Sequence, residues 1–394
     1  MSAGPPSRPS GRPGDSGGRP AGPALRLALL LGSATGGTAR HVAALARGCR
    51  DAGLAVAVFG PEESRGMFAA AGISFTPVSI GDRPHPASDA AAIAGLRRLL
   101  RTTAADVLHA HGVRAGAFAV LATRGPGAAR RPALVVTVHN AAPAGRVAGA
   151  IYGILERMCA RRSDLVLCAS EDLAARMRAL GAASARTFHV PAAPAPPPTA
   201  TEVAKAAGDI DAAGRPVVLA VGRLAPQKGF DVLIAAAGRW RDHPLAPRTV
   251  IAGSGPLAGP LADQARRLGA DVLLLGERHD VPALLVLADV FVLPSRWEAR
   301  ALILQEAMRA GRAIVATESG GTPGLTGAGA AVLVAPEDDR ALADAVLALL
   351  SDAPMAARLG LAARARAASF PTEADAVSQA VSLYRGLAAR GSAA

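Results

Sequence analysis

Aromatic side chains make up only 3% of the 394 residues, against 51% hydrophobic residues in all. A core of large rings is excluded, and the interior must be filled by Ala, Val and Leu, which suits packed α/β layers. Only Lys205 and Lys228 among the 43 basic residues are lysine. There are three cysteines, Cys49, Cys159 and Cys168, without metal-ligand spacing. That excludes a disulfide framework and makes them small core residues of a reducing compartment. Long apolar runs are missing too: Leu25–Leu31 is too short to span a bilayer and Leu284–Leu293 is interrupted by Asp289. The basic start followed by "LRLALLLGSA" imitates a signal peptide but reads better as a buried first strand. A cytoplasmic protein is expected.

Acidic residues are scarce in one half only. The net charge of +12 lies within residues 1–200, and residues 201–394 are neutral overall. Such a basic half could attract an anionic membrane or a phosphorylated acceptor; an arginine-rich surface from compositional bias is the plainer reading. No aromatic platform or basic helix motif accompanies the charge, so nucleic acid is not an expected partner.

Residues 1–24 are mostly Pro, Gly, Ser and Arg and read as a disordered tail. From Leu25 to Val190, short apolar runs such as "LRLALLLG", "LAVAVFG" and "ALVVTVHN" alternate with amphipathic stretches. That alternation marks a parallel sheet covered on both faces. Residues 191–215 break it with clustered prolines and read as a linker; residues 216–370 restart it, and 371–394 form a last helix expected to cross back to the first domain. The expected fold is therefore α/β, two Rossmann-like domains facing across a cleft. Ligands of such folds bind outside the carboxyl ends of the strands.

Four motifs lie at such strand ends. "LLLGSATGGTARHVAALA" puts Gly36 and Gly37 before a helix N-terminus, where amides can approach an anion, or where a tight turn simply needs glycine. It lacks G-x-G-x-x-G, and no acid stands about 20 positions on, at the end of "LAVAVFG", so a dinucleotide site is disfavoured. "VGRLAPQKGF" carries Arg223 and Lys228, a planar fork and a point charge that together can neutralise a diphosphate, and "IAGSGP" places Gly253 at a neighbouring turn. "PSRWEARALILQEAM" places Glu298 on a loop and Glu306 about a turn into a helix. Carboxylates suit vicinal hydroxyls because each has two acceptor oxygens; for Glu306 a helix-start acid favoured by the dipole is an equally good account. His109 and His111 share one side of a strand without a visible third metal ligand. His111 and His41 are candidates for the acceptor side.

Taken with "SATGGTARHVAALA", "DVLHAHGVRAG", "VVTVHN" and "GERHDVPALLVLADVFVLPSRWEARALILQEAMRAGRAIVATESGGTP", these motifs resemble the retaining glycosyltransferases of family 4, which have the GT-B fold. The order and spacing match from about Leu25 onward. The resemblance implies that Gly36 and Gly37 approach the donor and that Arg223 and Lys228 bind the diphosphate. It further implies that Glu306 holds the ribose, that Glu298 holds the sugar hydroxyls, and that His139 faces the sugar. Backbone amides near Ala301 and Leu302 would add contacts. Catalysis would then rest on His139, Glu298, Arg223 and Lys228. The donor would be a UDP- or GDP-linked hexose and the acceptor a hydroxyl of a cell-envelope glycan, a glycolipid or a small molecule. The resemblance implies that no cofactor or metal is needed. Lipid-linked acceptors would place the protein at the inner face of the membrane. Departures from the family pattern stand at Ala299, Arg300, Ala313, Gly324 and "VPAAPAP"; Arg300 is expected to narrow or recharge the sugar pocket. A catalytically silent nucleotide-sugar-binding protein and a nucleotide-sugar 2-epimerase remain the alternatives.

Overall fold

The computed structural model describes residues 24–32, 36–81, 85–123, 131–141, 145–192 and 195–392. The tail read at residues 1–24 lies, apart from Ala24, outside them. The N-terminal lobe runs β1 (Arg26–Leu31), α1 (Gly36–Asp51), β2 (Ala55–Gly60), α2 (Arg65–Ala69), β3 (Ser74–Pro77), α3 (Pro86–Thr103), β4 (Val107–His111), α4 (Val113–Thr123), β5 (Ala133–Val138), α5 (Arg146–Arg162), β6 (Leu165–Cys168), α6 (Glu171–Ala179) and β7 (Ala185–Thr187). The second lobe runs α7 (Ala200–Ile210), β8 (Val217–Val221), α8 (Phe230–Trp240), β9 (Arg248–Ala252), α9 (Ala258–Leu268), β10 (Val272–Gly276), α10 (Val281–Leu287), β11 (Val290–Leu293), α11 (Leu302–Arg309), β12 (Ala313–Thr317), α12 (Thr322–Thr326), β13 (Val332–Val334), α13 (Asp339–Ser351) and α14 (Ala353–Ala368). A last helix, α15 (Glu373–Ser392), follows.

Both sheets are parallel, with strand orders β3-β2-β1-β4-β5-β6-β7 and β10-β9-β8-β11-β12-β13. Strands reverse their direction of addition between β1 and β4 in one sheet and between β8 and β11 in the other. Connections therefore diverge at these two points and leave a crevice at each. The apolar runs are continuous because each sheet is covered twice. Leu27, Leu29 and Leu31 of β1 lie beside Val107, His109 and His111 of β4, which lie beside Ala133, Val135 and Thr137 of β5. That odd-numbered row faces α1 and α15, while Ala28, Leu30, Leu108, Ala110, Leu134 and Val136 face α3, α4 and α5. In the second lobe Val217 and Leu219 pack toward α7, α10, α11 and α14, and Val218 and Ala220 toward α8 and α13. The three cysteines are free and buried.

The stretch 191–215, read as a linker, contains α7, which packs on the second lobe with Ala206 and Ile210 buried. Thr199 and Glu202 form a capping box, the Glu202 amide donating to Thr199 Oγ1 at 3.2 Å and the Thr199 amide to Glu202 Oε2 at 2.7 Å. The preceding prolines masked this start signal. From α14 the chain crosses to the first lobe, where Ala376, Ala380, Val381, Tyr384 and Leu387 of α15 are buried against α1 and the sheet.

α5 extends past the sheet. Its Cys159 Sγ sits 3.4 Å from the carbonyl of Val113, the first residue of α4. The 13 residues from Arg146 to Met158 therefore project beyond the start of α4, about 20 Å of helix at roughly 1.5 Å per residue. The fully buried Glu156 anchors it, receiving Arg176 Nη2 at 2.6 Å and Nε at 3.0 Å. Arg176→Met would leave that carboxylate without a counter-charge, and is expected to lower the unfolding free energy in a denaturant titration by about 3 kcal/mol.

Candidate functional site

Loops from the two reversal points meet across one cleft of about 1020 Å³. On the second lobe, Arg223 follows β8 and Lys228 ends the short turn before α8. Arg223 is exposed on the cleft wall and has no ion pair among the described residues. The β8 loop is fastened to the β11 loop at several points. Arg296 N–H donates to Gln227 O at 2.8 Å and Gln227 Nε2 to Trp297 O at 2.8 Å, while the Arg296 guanidinium holds Asp231 at 2.7–2.9 Å. Gly229 has φ +63, and a Cβ there would lie 2.0 Å from Pro294 O, so only glycine lets the loops close on each other.

This fastening brings Lys228 Nζ to 2.5 Å from Glu298 Oε1, which also accepts from Ser295 Oγ at 2.8 Å. Glu298 is 7% exposed. Its backbone rests on the pair Gly320 and Gly321: the Gly321 amide donates to Glu298 O at 2.7 Å, and a Cβ on Gly321 would lie 1.8 Å from Ala299 O. Ala301 and Leu302 continue the wall at the start of α11.

Glu306 and Gly253 are placed differently from Arg223 and Glu298: neither borders the cleft. Gly253 packs on the β8 loop, where a Cβ would meet Gly222 O at 1.8 Å. Glu306 is half-buried one turn into α11; burial raises its carboxyl above the usual range, opposed by Arg40 from the first lobe and by Arg309. Arg40, not a candidate from sequence alone, borders the cleft. Its only signal was its position four residues after Gly36.

The first lobe supplies Gly37, Thr38, His111 and His139; Gly36 is the first residue of α1. A Cβ on Gly37 would fall 2.5 Å from Leu302 Cδ1, so the lobes touch there. Trp297 Nε1 donates to Asp172 at 3.1 Å, a second crossing contact. His111 Nδ1 and His139 Nε2 are 3.4 Å apart, and the His109 and His111 ring centroids 4.1 Å apart. His41 lies beneath, off the cleft wall, 6.0 Å from His111 and 6.3 Å from His139 between centroids. Among the described residues no three His, Cys, Asp or Glu side chains are grouped to hold a metal. Burial is the main cause that lowers all four imidazoles, His41 to about 4 and His139 to about 3, with repulsion between the rings as a further cause for His109, His111 and His139. At neutral pH they are uncharged hydrogen-bonding groups.

The departures from the family pattern also have definite surroundings. Ala299 is buried against the core of the first lobe. Arg300 borders the cleft, yet its guanidinium carbon lies 5.3 Å from the centre of Phe370, with Arg366 at 5.6 Å from the same ring. Burial lowers Arg300 to about 10, and neighbouring Arg366 and Arg309 add to the shift. A Cβ on Gly324 would meet nothing within 4 Å, so that position is open.

The model of glycosyltransferase family 4 matches residues 35–193, and that of the glycosyl transferases group 1 matches residues 215–352. The chain is 32% identical over 176 residues to the alpha-D-kanosaminyltransferase of Streptomyces kanamyceticus, covering 43% of this chain and 46% of that one. It is 34% identical over 166 residues to a GDP-mannose-dependent alpha-(1-6)-phosphatidylinositol monomannoside mannosyltransferase of Mycolicibacterium smegmatis, covering 38% and 42%. The chain thus spans about half the length of the curated relatives it matches. Among solved structures, Anabaena Alr3699/HepE in complex with UDP superposes with a TM-score of 0.76 at 21% identity, covering 92% of this chain and 100% of that one. Sucrose-phosphate synthase from Thermosynechococcus elongatus gives 0.73 at 21%, covering 93% and 100%. At that identity the likeness speaks for the fold.

A histidine whose folded pKa lies below its unfolded value takes up its proton more readily when unfolded. The stability it permits is complete above pH 6.5 and is lost as pH falls toward the folded pKa. With His41 near 4, acidification from pH 7 to 4 is expected to cost about 3 kcal/mol from that ring alone. Melting curves of a His41→Leu variant should show a correspondingly shallower loss over that window.

Proposed function

Since the chain belongs to the family 4 glycosyltransferases of the GT-B fold, we propose that it moves a hexose from a nucleoside diphosphate sugar to an acceptor hydroxyl, with retention at the anomeric carbon and without a metal ion. The observation that carries this reading is the convergence of Arg223, Lys228 and Glu298 on one wall, facing Gly37 and His139 on the other. A diphosphate leaving group gains negative charge as the glycosidic bond breaks, and fixed cations aimed at it lower the barrier most. Arg223 offers a fork with no carboxylate on it among the described residues, and Lys228 exchanges Glu298 for a phosphate oxygen. Glu298, released, accepts hydrogen bonds from sugar hydroxyls. Glu306, in α11 and off the wall formed by the lining residues, is given the ribose side by the family resemblance, with Arg40 nearby.

In this scheme the acceptor oxygen attacks from the face the diphosphate leaves, and a phosphate oxygen takes its proton. His139, neutral, hydrogen-bonds the sugar without competing for charge with the diphosphate. The relatives are named for different donors and acceptors, and UDP occupies one structural neighbour.

The acceptor side favours an amphiphile. The projecting half of α5 presents Val147, Ile151 and Ile154 to solvent at 74, 41 and 68% exposure, with Arg146, Arg157 and Arg161 exposed beside them. The same helix lines the cleft through Ala148, Ile151, Tyr152 and Leu155. An apolar ridge flanked by arginines suits the surface of an anionic bilayer carrying a lipid-linked acceptor. Among the described residues no single helix is long and apolar enough to cross one.

A panel of nucleoside diphosphate sugars, assayed for hydrolysis and transfer in the presence of a chelator, tests the donor reading. Arg223→Ala and Lys228→Ala should each lower kcat/KM by a factor of about 10²–10³; donor binding with no turnover would favour the silent protein instead. For the acceptor side, sedimentation with vesicles containing anionic lipid should retain the wild type and be weakened by Ile154→Glu. Equal retention on neutral vesicles would overturn the membrane reading.

A further inference from the structure

The polar seam under the cleft reaches further than the transfer reaction requires. His109 is fully buried in the layer between the first sheet and the helices α1 and α15, among leucines, valines and alanines. Both of its ring nitrogens are nonetheless engaged: Nδ1 lies 2.6 Å from Tyr384 Oη and Nε2 lies 2.6 Å from Thr137 Oγ1. Tyr384 sits on α15, the helix that returns from the second lobe, and its side chain is fully buried. A phenol is a stronger hydrogen-bond donor than an aliphatic alcohol, and burial keeps this one protonated well beyond its ordinary range. The phenol therefore donates to Nδ1, and Nε2–H of His109 donates to Thr137.

A ring held at both ends cannot rotate, and His109 lies against His111, whose Nδ1 in turn meets His139 Nε2. His111 Nε2 is buried without a partner, so nothing else among the described residues fixes that ring by hydrogen bonding at its far end. We propose that Tyr384 is a positioning residue for the transfer reaction: its hydroxyl sets the orientation and tautomer of His109, and the packed rings of His109 and His111 pass that orientation to His139 in the cleft. The inference rests on the reading of His139 as the ring that faces the donor sugar. It assigns α15 a role beyond covering the sheet, since the segment that ties the lobes together also braces the cleft wall from behind.

Tyr384→Phe keeps the ring and removes the donor. Thr137→Val removes the other partner of His109 at constant shape and serves as the second variant should the first fold poorly. In 15N-histidine-labelled protein without ligand, both substitutions should turn the single neutral tautomer of His109 into a mixture and shift the His111 and His139 resonances. With UDP-glucose and GDP-mannose as donors, kcat should fall about tenfold while KM for the donor stays within about twofold, the loss expected from one hydrogen bond acting only on positioning. Unmoved His139 resonances in the folded variants, or an unchanged kcat alongside moved resonances, would overturn the proposal. If the wild type turned over neither donor, the transferase reading would be in question and the ring resonances alone would decide whether Tyr384 orients the seam.

Discussion

The contact between Lys228 and Glu298 is the constraint on which the site depends. It joins the loops that leave β8 and β11, the two parallel strands between which the order of strand addition reverses in the second sheet. A partly buried ion pair gains little net stability, because both charges surrender hydration. Its value here is positional: each group is held, already partly desolvated, on the wall of the cleft. Ser295 and the glycine pair at 320–321 keep the carboxylate in place, and the Arg296 clamp keeps the lysine loop from drifting.

The two walls divide the electrostatics between them. The second lobe holds Arg223, Lys228 and Glu298, and the first lobe contributes neutral imidazoles at the ends of β4 and β5 together with Arg40. Neutrality of the histidines follows from burial and from mutual repulsion, since a proton on one ring raises the cost of the next. Charge that develops on a leaving diphosphate would therefore meet its fixed countercharge chiefly on one side. Polar groups with less charge would meet the sugar on the other.

Departures from the family pattern look less disruptive in three dimensions than in one. Ala299 turns its methyl into the neighbouring lobe, where it adds to the interlobe contact. Arg300 borders the cleft, and its guanidinium carbon lies over the ring of Phe370, between α14 and α15.

Periodicity in the sequence determined the fold class. Continuous apolar runs require coverage on both faces, and their alternation with helical stretches leaves few topologies besides two parallel sheets. Arg223, Lys228 and Glu298 were legible because each follows a buried strand, and ligand crevices form at strand ends. Only the tertiary structure decided which of these groups meet. Lys228 and Glu298 are separated by 70 residues and brought together by strand order. Gly253 and Glu306 lie off the wall, while Arg40, which sits between the candidates Gly37 and His41 in the chain, borders it. The bracing of His109 by Tyr384, 275 residues away, was equally invisible. Local sequence specifies what a residue can bond to, but partners remote along the chain are chosen by how the layers stack.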